Sequence, residues 1–213
     1  MKAEGVGAGL VVVVLAGLLA GCGRSASGGS EEAKDTAAGT VSSAGPVGLT
    51  PEVLQSRWWS WAGSEPEGTN PVADEDGDDC ARNQPEDVWF LAGTFGTLAE
   101  RGCTVPAGTP LAFPLVNRIG TPAECAAFMA EADGSAVLDG EEADAEVYRD
   151  SRITVRGVDG NPVTGSGGSF TATGCGIWVQ LPAPAPGPHT LTIRGRAGDF
   201  STGVDYTLTV TGA

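Results

Sequence analysis

The chain has 213 residues, 41% of them hydrophobic, which is enough for one globular domain with a buried core. Its 33 glycines and 14 prolines disfavour a helical bundle and favour a β-rich fold, because both residues weaken helix interiors. The formal net charge of -15 repels nucleic acid and anionic lipid headgroups, so we expect no nucleic-acid partner.

An apolar run over residues 6–20 follows a short, weakly basic start and is typical of a signal-peptide core. A permanent membrane-spanning helix needs roughly 20 residues, so the run is too short for one. It ends in Leu-Ala-Gly-Cys at residues 19–22, which resembles the lipobox of bacterial lipoproteins. The resemblance implies a signal peptide over residues 1–21 and a lipid on Cys22 that anchors the protein to the cell membrane, facing outside the cytoplasm. An ordinary secretory signal is the alternative.

Residues 22–46 are mainly Gly, Ser, Ala and Thr with a few charges. Such a segment cannot bury enough apolar surface to offset the entropy of ordering it. We therefore predict a flexible tether with a root-mean-square span of about 25–30 Å. The folded, β-rich extracytoplasmic domain is predicted to occupy residues 47–213.

The domain opens with a predicted helix that begins after an N-cap at Thr50 and ends at Gly63, because a proline and an acid follow the threonine. Apolar residues at i, i+4 and i+7 predict its buried face: Leu54, Trp58 and Trp61. Trp59 lies on another side of this helix, where it either packs against a second element or presents its indole to solvent. An exposed indole beside acids and amides suits a sugar face, so Trp59 is a candidate ligand-binding residue.

The loop that follows is rich in acids and is a candidate calcium site. Asp74, Asp76 and Asp78 occupy the first three ligand positions of the EF-hand template. Positions 6 and 12 hold Asp79 and Pro85 in place of the glycine and glutamate that the template needs. An irregular calcium loop and a solvated acidic loop both remain open.

Short strands are predicted after this loop. The run 88–91 is apolar on both faces, which is typical of a strand covered on both sides. Further candidates lie at 101–105 and 111–116, and Pro114 places the last of these at an edge or a bulge. Together they predict a meander.

Several short blocks occur in a fixed order: Trp-Trp-x-Trp-Ala, Asn-Pro, an Asp-rich turn with a cysteine, Val-Trp-Phe-Leu-Ala-Gly, Arg-x-Cys-x-Val-Pro-Ala-Gly and Phe-Pro-Leu-Val-Asn. A Pro-Gly-x-His-Thr strand follows at residues 186–190. This order resembles a group of uncharacterised exported bacterial proteins, over most of residues 58–210. Ser60 departs from the group, which carries a longer amide side chain there. The resemblance implies one domain and brings no activity with it.

A second helix is predicted from the capping box formed by Thr121 and Glu124, with an apolar face that includes Cys125 and an end at Gly134. Beyond it, short strands separated by turns are predicted at residues 137–138, 147–148, 153–155, 177–181, 191–193 and 204–210. Alternation in the last three predicts half-buried antiparallel strands. The fold class is therefore mainly β with two short helices, arranged as an antiparallel β-sandwich-like single domain.

With Cys22 assigned to a lipid, an even number of cysteines remains in an exported chain, which predicts two disulfides. Three connectivities are open. We favour Cys80 with Cys103 and Cys125 with Cys175, because the first two lie in neighbouring blocks. A zinc site is the alternative, but no pair has the short CxxC spacing and the chain has one histidine.

Nothing in the sequence assembles a catalytic centre. Any nucleophile-histidine pair would have to use His189, which follows a turn and has no serine motif beside it. Acids are plentiful, but no spacing selects a carboxylate pair. We therefore expect a non-enzymatic, lipid-anchored envelope domain that binds a ligand, a glycan among the candidates, or a protein partner. The alternatives are a carboxylate-dependent hydrolase of cell-wall or glycan substrates and a purely structural surface protein.

Overall fold

The computed structural model describes residues 48–212, so the predicted signal peptide, Cys22 and the predicted tether lie outside the described residues. These residues form α1 (Pro51–Ala62), β1 (Trp89–Phe90), β2 (Leu98–Val105), β3 (Leu111–Gly120), α2 (Pro122–Ala130), β4 (Ala132–Leu138), β5 (Glu141–Glu142), β6 (Glu146–Gly157), β7 (Gly168–Leu181), β8 (Gly187–Ala197) and β9 (Phe200–Val210). Neither α1 nor α2 is long and apolar enough to cross a membrane.

The strands form two packed sheets, which confirms the predicted mainly β, sandwich-like fold. One sheet has the order β1-β3-β7-β6 and the other the order β2-β9-β8-β4-β5. The main core lies between them, where Phe113 and Val179 of the first sheet meet Ile193 and Leu208 of the second. Most strand pairs are antiparallel, but β1 runs parallel to β3 and β2 runs parallel to β9.

The predicted meander is wrong, because β1, β2 and β3 do not pair in chain order. β2 pairs with β9, the last strand, and β1 pairs with β3. The turn after β2 carries the chain from one sheet to the other, so Val105 and Leu111 contribute to the same core from opposite sheets. The predicted irregularity at Pro114 is confirmed, since the pairing of β3 with β7 shifts register between Pro114 and Val116.

Helix α1 covers the outer face of the first sheet and has the predicted caps. The Thr50 hydroxyl accepts a hydrogen bond from the amide of Val53, and Gly63 is the C-cap. The predicted apolar face is buried and packs against Ile153 of β6 and Trp178 of β7. The centre of β7 is therefore buried on both faces, whereas the sequence predicted a half-buried strand.

Helix α2 has the predicted capping box but ends at Ala130, four residues before the predicted end at Gly134. Residues 132–134 instead begin β4, because they pair with β8. A side chain at Gly134 would lie 2.7 Å from the carbonyl oxygen of Arg194, so the glycine permits this close approach. β4 then turns into β5 through Asp139 and Gly140, which both have positive φ, as a two-residue hairpin requires.

Strand β6 joins two predicted short strands. Residues 147–148 and 153–155 belong to one ladder with β7, with a register shift between Tyr148 and Ser151. β6 is also the outer strand of its sheet. One edge of β6 is therefore open to a covering element, and α1 provides it.

Candidate functional site

The four cysteines among residues 48–212 form the two favoured disulfides. Cys80 is bonded to Cys103 and Cys125 to Cys175, with Cα–Cα distances of 6.1 and 5.8 Å. The first bond ties the acidic loop to β2 and the second ties α2 to β7. Within residues 48–212, no group of three or more His, Cys, Asp or Glu side chains is arranged to hold a metal ion.

The acidic loop is organised by its own hydrogen bonds. The Asp74 carboxylate accepts bonds from the backbone amides of Asp76, Gly77 and Asp79 at 3.0–3.2 Å. Asp76 in turn accepts a bond from the amide of Asp78. Both oxygens of Asp74 thus serve as loop caps, so the candidate calcium ligands Asp74, Asp76 and Asp78 fit a folded turn better than a cation site.

A buried arginine holds this loop against the domain. Arg101 is 3% exposed and donates to the carbonyl oxygens of Val72, Asp74, Ala92 and Gly93 at 2.7–3.1 Å. It also donates to the Tyr206 hydroxyl. Carbonyl dipoles and a hydroxyl satisfy this buried guanidinium, and its role is to join separate segments.

Trp59 is packed inside the domain. Its side chain is 8% exposed and meets Trp58 edge to face, with ring centroids 5.2 Å apart. Trp58 also packs against Trp178, and its indole N–H donates to the carbonyl of Leu91. Of the two alternatives for Trp59, packing describes this structure, and the indole offers no open face for a sugar.

His189 joins a turn to the start of β8. Its Nδ1 lies 2.6 Å from the Asp139 carboxylate and its Nε2 lies 2.7 Å from the carbonyl oxygen of Ala185. The hydrogen bond to Asp139, followed by that to Ala185, raises the pKa of His189, and the His189 hydrogen bond lowers the pKa of Asp139. Both ring nitrogens face acceptor oxygens, which favours the protonated imidazole, and both are engaged within the turn.

A groove of about 480 Å³ runs beside α1 and is the candidate binding site. Its lining combines helix residues with the segment before β1 and with β6: Ser56, Arg57, Ser60, Trp61, Ser64, Asn83, Pro85, Phe90, Thr154 and Arg156. Trp61 and Phe90 lie at its base, almost fully buried, with ring centroids 5.7 Å apart, and Pro85 adds apolar lining. Hydroxyls and two arginines supply the polar groups, and the lining contains no carboxylate.

The two arginines of the groove differ in their partners. Arg57 makes a bidentate ion pair with Asp87, and its hydrogen bonds hold the pKa of that carboxyl below the ordinary value. Arg57 also lies over the ring of Phe90, 5.9 Å from its centroid. The guanidinium of Arg156 has no hydrogen-bond or ion-pair partner within residues 48–212. It is therefore free to bind an anionic group.

Two serines fix α1 to the edge of β6. Ser56 accepts a hydrogen bond from the amide of Thr154 at 3.2 Å, and Ser60 accepts one from the amide of Arg156 at 3.0 Å. The i, i+4 spacing of the serines matches alternate residues of an edge strand. Sequence reasoning missed this groove, because the serines carry no motif and their partners lie about a hundred positions away.

The sequence-predicted candidates do not meet at one place. Trp59 is in the core, the Asp74 to Asp79 loop is folded on β2, and His189 lies at a turn. The groove is formed by residues to which the sequence analysis gave no functional role. Comparison with protein families, curated proteins and solved structures finds no match to this chain.

Proposed function

We propose that the protein is a lipid-anchored extracytoplasmic domain that binds an envelope ligand in the groove beside α1 and catalyses no reaction on it. The observation that carries the proposal is the groove itself, which apolar rings, hydroxyl-bearing side chains and Arg156 line together. Such a combination is typical of a small ligand site. The two disulfides agree with an oxidising compartment, and the resemblance of residues 19–22 to a lipobox supplies the anchor.

Binding is favoured over hydrolysis at this groove because its lining contains no acid. A glycosidase-type reaction needs two carboxyl groups that flank the scissile bond. Arginine and serine can orient a ligand and neutralise its charge, but here the serine oxygens are occupied by backbone amides. The groove is therefore equipped for recognition.

A second groove is the observation that favours the alternative function, a carboxylate-dependent hydrolase. Asp144, Glu146 and Tyr148 line a cleft of about 430 Å³ near the start of the domain. Burial and the hydrogen bond to Glu146 raise the pKa of Tyr148 to about 12, so its hydroxyl remains a donor at neutral pH. Product release from peptidoglycan or glycans that is lost in Glu146→Gln would favour this alternative.

The groove is tested by co-sedimentation of the mature chain, carrying Cys22→Ser, with insoluble bacterial cell-wall material. Thr154→Trp places an indole in the groove, whereas Thr209→Trp places one at an exposed position of β9, on the other sheet, which does not line it. We expect Thr154→Trp to lower binding at least fivefold and Thr209→Trp to leave cell-wall binding within a factor of two of wild type. Equal binding by all three proteins would contradict the proposal.

The anchor is tested separately in bacteria grown with a labelled fatty acid. We expect the full-length protein to carry the label and to fractionate with membranes. Cys22→Ser is expected to lose both properties. Membrane fractionation without label, unchanged by Cys22→Ser, would contradict the lipid anchor and leave the groove proposal standing.

A further inference from the structure

Apart from His189, every basic residue between positions 48 and 212 is an arginine, and most of these arginine side chains have partners. Carboxylates or carbonyl oxygens hold Arg57, Arg82, Arg101, Arg118, Arg194 and Arg196. The exceptions are Arg149, Arg152 and Arg156, whose guanidinium groups have no hydrogen-bond or ion-pair partner in the described part of the chain. All three lie on β6. Although the chain has a net charge of -15, the arginines without partners among residues 48–212 are therefore concentrated on this one strand.

Two of these arginines share a face with a set of hydroxyls. β6 and β7 pair Arg152 with Thr173, Thr154 with Thr171 and Arg156 with Ser169, and residues paired in this way lie on the same side of a sheet. The intervening Ile153 and Val155 are buried under α1, so this set lies on the opposite side, and only Thr173 is partly covered. We call these six residues the arginine-hydroxyl face. Its two guanidinium groups start from backbone positions about 13 Å apart along β6.

We infer that the arginine-hydroxyl face binds an acidic glycan, a polysaccharide whose sugars carry carboxylate or phosphate groups. Guanidinium groups bind both kinds of oxyanion in a bidentate manner, and threonine and serine hydroxyls exchange hydrogen bonds with sugar hydroxyls. The inference rests on the proposed function, because Thr154 and Arg156 belong both to this face and to the groove beside α1. The proposed ligand class, an acidic glycan, can be bound by arginines and hydroxyls without an exposed tryptophan.

An added peptide strand does not fit this edge. The outward amides of Thr154 and Arg156 already donate to Ser56 and Ser60, so they are not free to pair with another backbone. A glycan recognised through side chains does not need these amides.

Nucleic acid is disfavoured by charge density. Duplex DNA carries one charge per about 1.7 Å, and the net charge of -15 opposes its approach. A glycan with one charge per sugar is repelled less. The arginines dominate the local potential within a Debye length, about 8 Å at physiological salt, so we expect binding to weaken as salt rises.

The test measures binding of immobilised polysaccharides to the mature chain carrying Cys22→Ser. Alginate supplies carboxylates, phosphorylated dextran supplies phosphates, unmodified dextran is neutral, and single-stranded DNA is a different polyanion. We expect binding to alginate, to phosphorylated dextran or to both, with at least tenfold weaker binding to dextran and DNA. The preferred anionic polymer identifies the source of the oxyanion.

Matched double variants then locate the binding. Arg152→Gln with Arg156→Gln removes two exposed, unpaired arginines, and we expect at least a tenfold loss of affinity. Arg194→Gln with Arg196→Gln changes the net charge equally on the other sheet and is expected to stay within twofold of wild type. Thermal unfolding of each variant confirms that it is folded.

Three outcomes would overturn the inference: no binding to either anionic polymer, equal binding to DNA, or equal losses in the two double variants. Cell-wall binding separates these failures from a failure of the proposed function. If wild type binds cell walls and Thr154→Trp does not, while alginate and phosphorylated dextran are not bound, the groove proposal stands and the acidic glycan falls. If wild type binds neither cell walls nor polymers, both fall.

Discussion

Each of the two sheets has an outer strand whose edge is covered by another segment of the chain. The two covering segments differ in which charged side chains they leave without a partner. At β2, the amide of Gly102 donates to the Asp76 carbonyl oxygen of the acidic loop at 2.7 Å, and a disulfide fastens the loop beside it. At β6, Ser56 and Ser60 of α1 accept the outward amides. Both devices prevent edge-to-edge pairing. At β2 the charged groups Asp74 and Arg101 are used to hold the cover, whereas at β6 the arginines take no part in it.

This difference shows that a dense cluster of charged side chains need not be free to bind a ligand. The acidic loop has the densest cluster of ionisable side chains, but its Asp74 carboxylate is occupied by backbone amides. The charged residues of β6 are spread over a longer segment, and its guanidinium groups have no partner within residues 48–212. We therefore assign a structural role to the loop and a binding role to β6.

The largest expected effect comes from removing the arginine that joins the loop to the core. Arg101→Met leaves the carbonyl oxygens of Val72, Asp74, Ala92 and Gly93 without their donor. We expect the free energy of unfolding to fall by about 3–5 kcal/mol in urea denaturation. Arg152→Met is the matched control on β6 and is expected to change it by less than about 0.5 kcal/mol. Equal losses of stability in Arg101→Met and Arg152→Met would contradict the different roles assigned to the arginines of β2 and β6.

The second effect tests how closely the loop lies on β2. Gly77 has a φ of 100°, and a side chain there would lie 2.7 Å from the amide nitrogen of Gly102. We expect Gly77→Ala to lower the free energy of unfolding by about 2–4 kcal/mol.

Gly108 is the control for this effect, since it also has positive φ but nothing within 4 Å of an added methyl group. Gly108→Ala is expected to cost about 1 kcal/mol, the left-handed backbone penalty alone. Similar losses of unfolding free energy for the two variants in urea denaturation would show that the loop does not pack closely against β2.

The third effect decides between a loop cap and a calcium ligand at Asp74. Asp74→Ala removes the acceptor of three backbone amides, and we expect a loss of about 1–3 kcal/mol in the free energy of unfolding. Asp78→Ala, at an exposed position of the same loop, is expected to change it by less than about 0.5 kcal/mol. The melting temperature of wild type is expected to be the same with calcium and with chelator. Stabilisation by calcium that both variants abolish would restore the metal site.

The smallest effect is a pH dependence at the hairpin of β4 and β5. The pKa of His189 is raised above 6.5, so its contribution to stability is complete below pH 6.5 and is lost as pH rises through the folded-state pKa. The pKa of Asp139 is lowered below 3.8, so its contribution is complete above pH 3.8 and is lost as pH falls through its folded-state pKa. The pair is therefore at full strength between about pH 4 and 6.5.

We expect melting curves of wild type and His189→Gln to differ most in this window and to converge at high pH. Asp139→Asn is expected to remove the same pH-dependent component. A difference that stays constant from pH 5 to pH 9 would contradict the role of the imidazolium.

The local features of the fold could be predicted from the sequence because their causes are local. Thr50 and Thr121 cap their helices, and the Asp139-Gly140 turn makes a hairpin through residues that tolerate positive φ. The disulfides were also predictable, since the alternatives were few. Strand partners were not, because alternation shows which face is buried and does not identify the neighbouring strand.

The candidate site could not be predicted for a related reason. Trp59 suggested a binding surface by its residue type, and only tertiary packing shows that its indole is enclosed. Arg156 had no distinguishing neighbour in the sequence. Its importance depends on the absence of a partner in the folded residues 48–212, which is a property of the three-dimensional arrangement.

The most direct test of the binding role of β6 is a two-dimensional amide and arginine-side-chain NMR spectrum of the mature chain, carrying Cys22→Ser. The protein is titrated with oligosaccharides of the anionic polymer that it binds, alginate or phosphorylated dextran. We predict that shifts concentrate on β6, on the paired residues of β7 and on the side-chain Nε signals of Arg152 and Arg156. Signals of the loop from Asp74 to Asp79 are predicted to stay in place. Shifts centred on that loop, or no shifts at saturating oligosaccharide, would contradict this binding role.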